Sequence, residues 1–222
     1  DVAPSRGLGD VYKRQPITIA IDAIIKQASS LAAMAKVISQ NPARYNAILE
    51  TLRRPGLSNY ESRVIITGVG KNANIATKAS ETFASLGIPS MYLNTGHYSH
   101  GDAGFIAPND VLIHISRSGK TEEMIGVAKH LKMIRPNVKQ ILLHCNPDIP
   151  QENEALFDYS FCTGIAVEVD ENSLAPTMST TLLLALIDTF AINLSSERGF
   201  TSNDFLKFHP GGALGAMLRG EQ

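Results

Sequence analysis

The stretch VIITGVGKNA, residues 64–73, decides the fold. Val64 to Thr67 is a short run of β-branched residues that breaks at Gly68, Val69 and Gly70, and helix-forming sequence resumes at Ala73. A strand buried on both faces reads as such a continuous apolar run, and glycine supplies the tight turn into the helix that follows. The same texture recurs downstream at Ser90 to Leu93, Val111 to Ile115 and Gln140 to His144, each run ending in or just before Gly, Ser, Asn or His. Helical segments are expected between them, at Ala73 to Leu86 and Thr121 to Ile134, with a short one near Glu152 to Leu156. Strand and helix in alternation predict an α/β fold, a doubly wound parallel sheet flanked by helices. A last weak strand is expected around Ser160 to Glu168.

Upstream, Pro16 to about Arg54 carries apolar residues at helical spacing (Ile17, Ile21, Ile24, Ala28, Leu31), and Pro16 suits a first helical turn, so two N-terminal helices are expected. Pro16 marks a boundary. Residues 1–15 mix Gly, Pro and charge without periodicity and are set aside as a non-native or disordered leader, leaving 16–222 as one domain. Near the other end, Pro176 to Ser196 is apolar nearly all round, as in a helix buried on several faces or at a subunit contact.

With 44% hydrophobic residues, a chain of 222 buries one sizeable core. Lys and Arg number 20 against 21 Asp and Glu, so no whole-molecule field draws the chain to nucleic acid or an anionic membrane, and any bound anion must be held locally. Cys145 and Cys162 are too far apart in sequence for a CxxC motif and too few for a disulfide framework, which fits a reducing cytoplasm. The stretch Ile17 to Ile25 is interrupted by Asp22, and Thr181 to Leu194 is short for a bilayer and contains Asp188, so no membrane address is read.

In an open parallel sheet, ligands bind outside the carboxyl ends of the strands, so chemistry is sought in the loops there. Gly68 to Ala73 fits G-x-G-x-x-A, but Leu93 is followed by Asn94, Thr95 and Gly96 where a ribose-binding acid would stand, which argues against a dinucleotide. Lys71, beside a helix N-terminus with Gly70, suits a phosphate or sugar oxygen. Ser116 to Glu123, SRSGKTEE, has the tail of a Walker A loop without its first glycine, since His114 stands there. What remains is a hydroxyl-rich helix start, able to cap a helix or to hold phosphate. His97, His100 and Asp102 could approach a divalent metal, but a polar surface loop is the commoner meaning. Glu168, Asp170 and Glu171 precede the hydroxyl run Thr177 to Thr181, and His209 stands in a glycine-rich HPGG string.

Taken in order, GVGK (68–71), SHGDAG (99–104), SRSGKTEE (116–123), LAPTMSTT (174–181) and RGFTSNDFLKFHPGGALG (198–215) resemble the SIS-domain arabinose 5-phosphate isomerases, over about Val64 to Leu218. The resemblance implies interconversion of D-arabinose 5-phosphate and D-ribulose 5-phosphate for the octulosonate sugar of lipopolysaccharide or capsule. It also implies assembly as a homotetramer. Lys71, Glu123 and His209 fall on the family's catalytic positions, Gly70, Ser116, Ser118 and Thr121 on its phosphate-binding elements, and His100 on its SHGD loop. The family has a second glutamate before APT; Glu168 and Glu171 compete for it, and Glu171 is preferred. Two departures bear on sugar contacts: Asn72-Ala73 where Ser-Gly is usual, and Arg117 where Asn is common. Many members carry CBS modules after this domain; ending at Gln222, the chain reads as a form without them or as a fragment. The other readings are an isomerase of a different sugar phosphate and a phosphosugar-binding regulatory module, the latter without an evident basic helix-turn-helix.

Aldose/ketose interconversion requires a base that moves a proton between C2 and C1, together with groups that open the ring and stabilise an enediolate. A carboxylate, an imidazole and a lysine supply these without a metal or redox cofactor, so none is expected.

Overall fold

A computed structural model describes residues 16–57, 62–164, 166–211, 216, 217 and 220. The expectations for residues 1–15 and for the end of the HPGGALG string lie outside them. Two helices, α1 (Pro16–Gln40) and α2 (Pro42–Leu57), precede strand β1 (Val64–Gly68). There follow α3 (Lys71–Ser85), β2 (Ser90–Leu93), a single turn α4 (Thr95–Tyr98), a 3-10 turn (Asp102–Phe105) and β3 (Val111–Ser116). The chain continues through α5 (Glu122–Ile134), β4 (Lys139–His144), α6 (Gln151–Glu154), β5 (Tyr159–Cys162), α7 (Met178–Glu197) and α8 (Ser202–Phe208).

All pairings are parallel, in the order β2-β1-β3-β4-β5. Alternation explains the continuous apolar runs. Val64, Ile66, Val111, Ile113, Ile115, Ile141 and Leu143 face one core with α2, α3 and α7, while Ile65 and Leu112 face a second with Val127 and Leu131 of α5. Since helices cover both faces, every position of the central strands β1 and β3 is buried and no polar alternation survives there. α7 is 20 residues, close to the Pro176 to Ser196 stretch read from the sequence, and α1 is 25; both are long and apolar enough to cross a bilayer by length and composition. For α7 the meaning is settled by packing, because Leu183, Leu186, Ile187, Phe190, Ala191 and Leu194 are wholly buried against the sheet.

The fifth strand ends sooner than the sequence suggested. Its ladder closes with Thr163 donating to the His144 carbonyl at 2.8 Å, and Gly164 then takes φ 99°, a value no strand accommodates. The chain turns away there, and Glu168 is delivered to the start of α7 instead of the sheet.

One core residue makes stability depend on pH. His114, in β3, is fully buried; its Nε2 donates to Gln140 Oε1 at 2.9 Å, and Nδ1 finds no partner among the described residues. Burial lowers its pKa from 6.5 to about 4, and the bond to Gln140 offsets only part of that. Between those values the unfolded chain binds a proton that the folded chain refuses, so stability present above pH 6.5 is lost as pH falls, by about 3 kcal/mol at pH 4. Urea titrations across that range should show the decline, and His114→Gln should flatten it. Parallel profiles for the two proteins would reject the assignment.

Candidate active site

Strand order reverses direction between β1 and β3, so their carboxyl ends flank a topological switch point, where open α/β sheets bind ligands. The register pairs Gly68 with Ile115, which brings the Gly70-Lys71 turn and the serine loop to one edge. Gly68 permits the close turn: a Cβ there would meet the Asn72 carbonyl oxygen at 2.6 Å. Lys71 opens α3 and is exposed, and Gly70 before it provides no side-chain cap. Helix α5 starts on the other side of the switch point, and Thr121, its N-cap, likewise makes no capping bond to the helix. Two helix N-termini with uncapped N–H groups thus open at the same edge, where anions are favoured.

Between them the loop is held by its own hydroxyls. Ser116 Oγ, all but buried, accepts from Gly119 N at 3.0 Å and lies 3.1 Å from Thr121 Oγ1, while Ser118 Oγ accepts from Lys120 N at 3.1 Å. Gly119 has φ 67°, and an added Cβ would stand 2.5 Å from Ile149 Cδ1. Gly119→Ala should therefore cost about 1–2 kcal/mol, roughly 2–8 °C in Tm, while Gly126→Ala in open space on α5 should be neutral or stabilising. Thermal melts of the two variants test whether the loop conformation is enforced.

The two candidates for the second carboxylate lie in different surroundings. Glu171 is exposed on the loop before α7, whereas the Glu168 side chain is fully buried and forms an ion pair with Arg117, Nε to Oε1 3.0 Å. Glu168 also accepts from Ser179 Oγ at 2.5 Å, Thr177 N at 2.8 Å and Ser179 N at 3.2 Å, so it occupies the N-terminus of α7. Burial pushes its pKa up, but the Ser179 hydroxyl, the two backbone donors and Arg117 outweigh it and leave the group below the usual carboxylate range. The connecting loop is strained to this end: Ser173, with φ 53°, takes the N–H of Glu168 on its hydroxyl at 3.0 Å.

A cleft of about 270 Å³ opens here, lined by Arg117, Ser118, Cys145, Asn146, Pro147, Asp148 and Ala166. Sequence reasoning missed Asn146 and Asp148, although they follow the carboxyl end of β4, where the switch-point rule directs attention. Asn146 braces the loop by donating to the Ser118 carbonyl at 3.0 Å. Glu123 is exposed in the first turn of α5, at the same edge.

His100 is exposed after α4, in the loop that leaves β2 at this edge. His97 and Asp102 approach only to 4.0 Å, and among the described residues no three His, Cys, Asp or Glu side chains converge as metal ligands. His209 is elsewhere: it stacks on Phe205 with centroids 3.7 Å apart, Nδ1 donates to the Phe205 carbonyl at 2.8 Å, and Nε2 is 3.2 Å from Ser85 Oγ. Ser85 is the last residue of α3 and Lys71 the first, so at 1.5 Å per residue the imidazole packs roughly 20 Å along the helix from Lys71. Within one chain His209 does not join the edge that gathers Lys71, Glu123 and the serine loop.

Comparison with known proteins places this geometry among relatives. Residues 57–193 match the SIS domain. Arabinose 5-phosphate isomerase KpsF of Escherichia coli is 34% identical over 202 residues, covering 91% of this chain and 58% of that protein. Arabinose 5-phosphate isomerase KdsD of Escherichia coli K12 is 40% identical over 158 residues, covering 71% and 47%. The chain therefore spans about half the length of the curated relatives it matches. Among solved structures, Escherichia coli CFT073 c3406 in complex with arabinose 5-phosphate superposes with a TM-score of 0.75 at 30% identity, covering 87% of this chain and 97% of that one.

Proposed function

This chain belongs to the SIS-domain family, and from that premise we propose that it is an aldose/ketose isomerase interconverting D-arabinose 5-phosphate and D-ribulose 5-phosphate. The observation that carries the reading is the pair of uncapped helix N-termini, α3 with Lys71 and α5 with the serine loop, at one switch point. The names of KpsF and KdsD and the arabinose 5-phosphate bound to c3406 support the choice of sugar.

In this reading Gly70, Ser116, Ser118 and Thr121 hold the phosphate, and His100 contributes to the sugar side. Glu123 takes the C2 proton of the open-chain aldose and returns it at C1, while a second proton moves between the C1 and C2 oxygens with His209 as carrier. Lys71 stabilises the enediolate, and Glu168, in place of Glu171, fixes the local charge. The enzyme is read as a cytoplasmic homotetramer whose site is completed by His209 of a neighbour. Exposed Ile17, Ile24, Ile25 and Phe208 are apolar surfaces suited to such contacts.

Purified protein incubated with pentose, hexose and heptose phosphates, with and without chelator, tests the reading. Ribulose 5-phosphate should form from arabinose 5-phosphate at a rate unchanged by chelator. Conversion of a hexose or heptose phosphate alone would replace the substrate, and no conversion of any of them would remove the enzymatic function.

A further inference from the structure

We propose that Arg117 is a substrate-contacting residue, its guanidinium anchored by Glu168 so that the free edge binds the phosphate group of the sugar phosphate beside Ser118. The inference rests on the isomerase reading and deepens it.

The geometry carries it in three steps. Arg117 and Ser118 are neighbours on the wall of the same cleft, in the loop that leaves β3 for α5. The guanidinium is fixed from behind, Nε on Glu168 at 3.0 Å and Nη2 on the Ala166 carbonyl at 3.4 Å, whereas Nη1 has no partner among the described residues and the side chain is 46% exposed. A planar fork held on one edge and open on the other is suited to bidentate oxyanion recognition, and fixing it beforehand removes the ordering cost of binding.

Charge balance argues that the arginine is more than a counterion for Glu168. That carboxylate already receives three donors from Thr177 and Ser179 at a helix N-terminus, so it is compensated without a guanidinium. The serine loop itself offers hydroxyls, backbone N–H groups and the exposed Lys120, whose flexible ammonium is not held in place as the Arg117 guanidinium is, and with a net charge of -1 the molecule supplies no general attraction for a dianion. Arg117 brings a full positive charge to that loop. Asp148, also on the cleft wall, repels an anion and favours the side formed by Arg117 and Ser118.

The test measures binding of inorganic phosphate and of arabinose 5-phosphate by calorimetry on the full chain, for wild type, Arg117→Gln, Arg117→Lys and the double variant Arg117→Gln/Glu168→Gln. A lost charge-assisted contact weakens binding by about 10- to 100-fold, so Arg117→Gln should lose that much for both ligands, with Arg117→Lys in between. The double variant removes both charges, so no buried carboxylate is left without its partner, which carries the test if Arg117→Gln alone fails to fold. If Arg117 contacts phosphate, the double variant stays weak. Wild-type affinity in Arg117→Gln, recovery in the double variant, or no phosphate binding by the wild type would each overturn the proposal. Failure of the isomerase reading is separate: phosphate would bind in an Arg117-dependent way while arabinose 5-phosphate is not converted.

Discussion

Replacing Glu123 by glutamine is expected to lower kcat by about 10²–10⁴ and to leave KM for arabinose 5-phosphate within a few-fold, because a positioned base acts on the transition state more than on the bound substrate. The structure makes the variant clean. Glu123 is exposed in the first turn of α5, so the fold loses only its favourable interaction with the helix dipole, about 0.3–1 kcal/mol. Glu168 is the control. Its pKa lies below the usual carboxylate range, and it already holds the Ser179 hydroxyl, two backbone N–H groups and Arg117, so it has little capacity to accept a substrate proton at neutral pH. Steady-state kinetics of Glu123→Gln beside a thermal melt decide the matter. A folded variant with wild-type kcat would move the base elsewhere, whereas a large fall in kcat with retained Tm and KM supports the assignment. Arabinose 5-phosphate deuterated at C2 sharpens the reading, since wild type should show a primary isotope effect if removal of that proton limits turnover.

What is legible in the sequence divides from what is not along a physical line. Strands β1, β3 and β4 are legible because burial on both faces leaves an unbroken apolar run, and the loops are legible because parallel strands deliver all carboxyl ends to one edge. The fifth strand reads too long because Ala166 to Val169 keeps an apolar texture, while the feature that stops it is the backbone of Gly164. Spacing along a loop says nothing about which carboxylate, Glu168 or Glu171, turns inward. The deciding partners, Arg117 and Ser179, are 51 and 11 residues from Glu168 in sequence and meet it only through the fold. Helix α8 escapes a reading by periodicity, although Thr201 and Asp204 form a reciprocal capping box, a signal present in the sequence TSND. No pattern in one chain could place His209 against Ser85, since that contact joins α8 to the far end of α3.

The position of His209 leads to the second large effect, a gain of activity from two dead proteins. In the single chain its imidazole packs on Phe205 and beside Ser85, at the opposite end of α3 from Lys71, so a site using both Glu123 and His209 draws them from different subunits. Glu123→Gln and His209→Asn chains should each be nearly inactive alone, by about 10²–10⁴ in kcat. When the two are mixed in equal amounts and allowed to exchange subunits, a site shared between neighbours receives a native Glu123 half the time and a native His209 half the time, independently. About a quarter of the sites are then intact, and the mixture should recover about a quarter of wild-type activity. A site built within one chain behaves differently, because every chain carries one defect and no exchange can repair it. Mass spectrometry of differently tagged chains establishes that exchange has taken place before rates are read. Mixed oligomers that stay at the level of the separate variants would place Glu123 and His209 in the same subunit's site, and α8 would then have to leave Ser85 to bring the imidazole to the switch point.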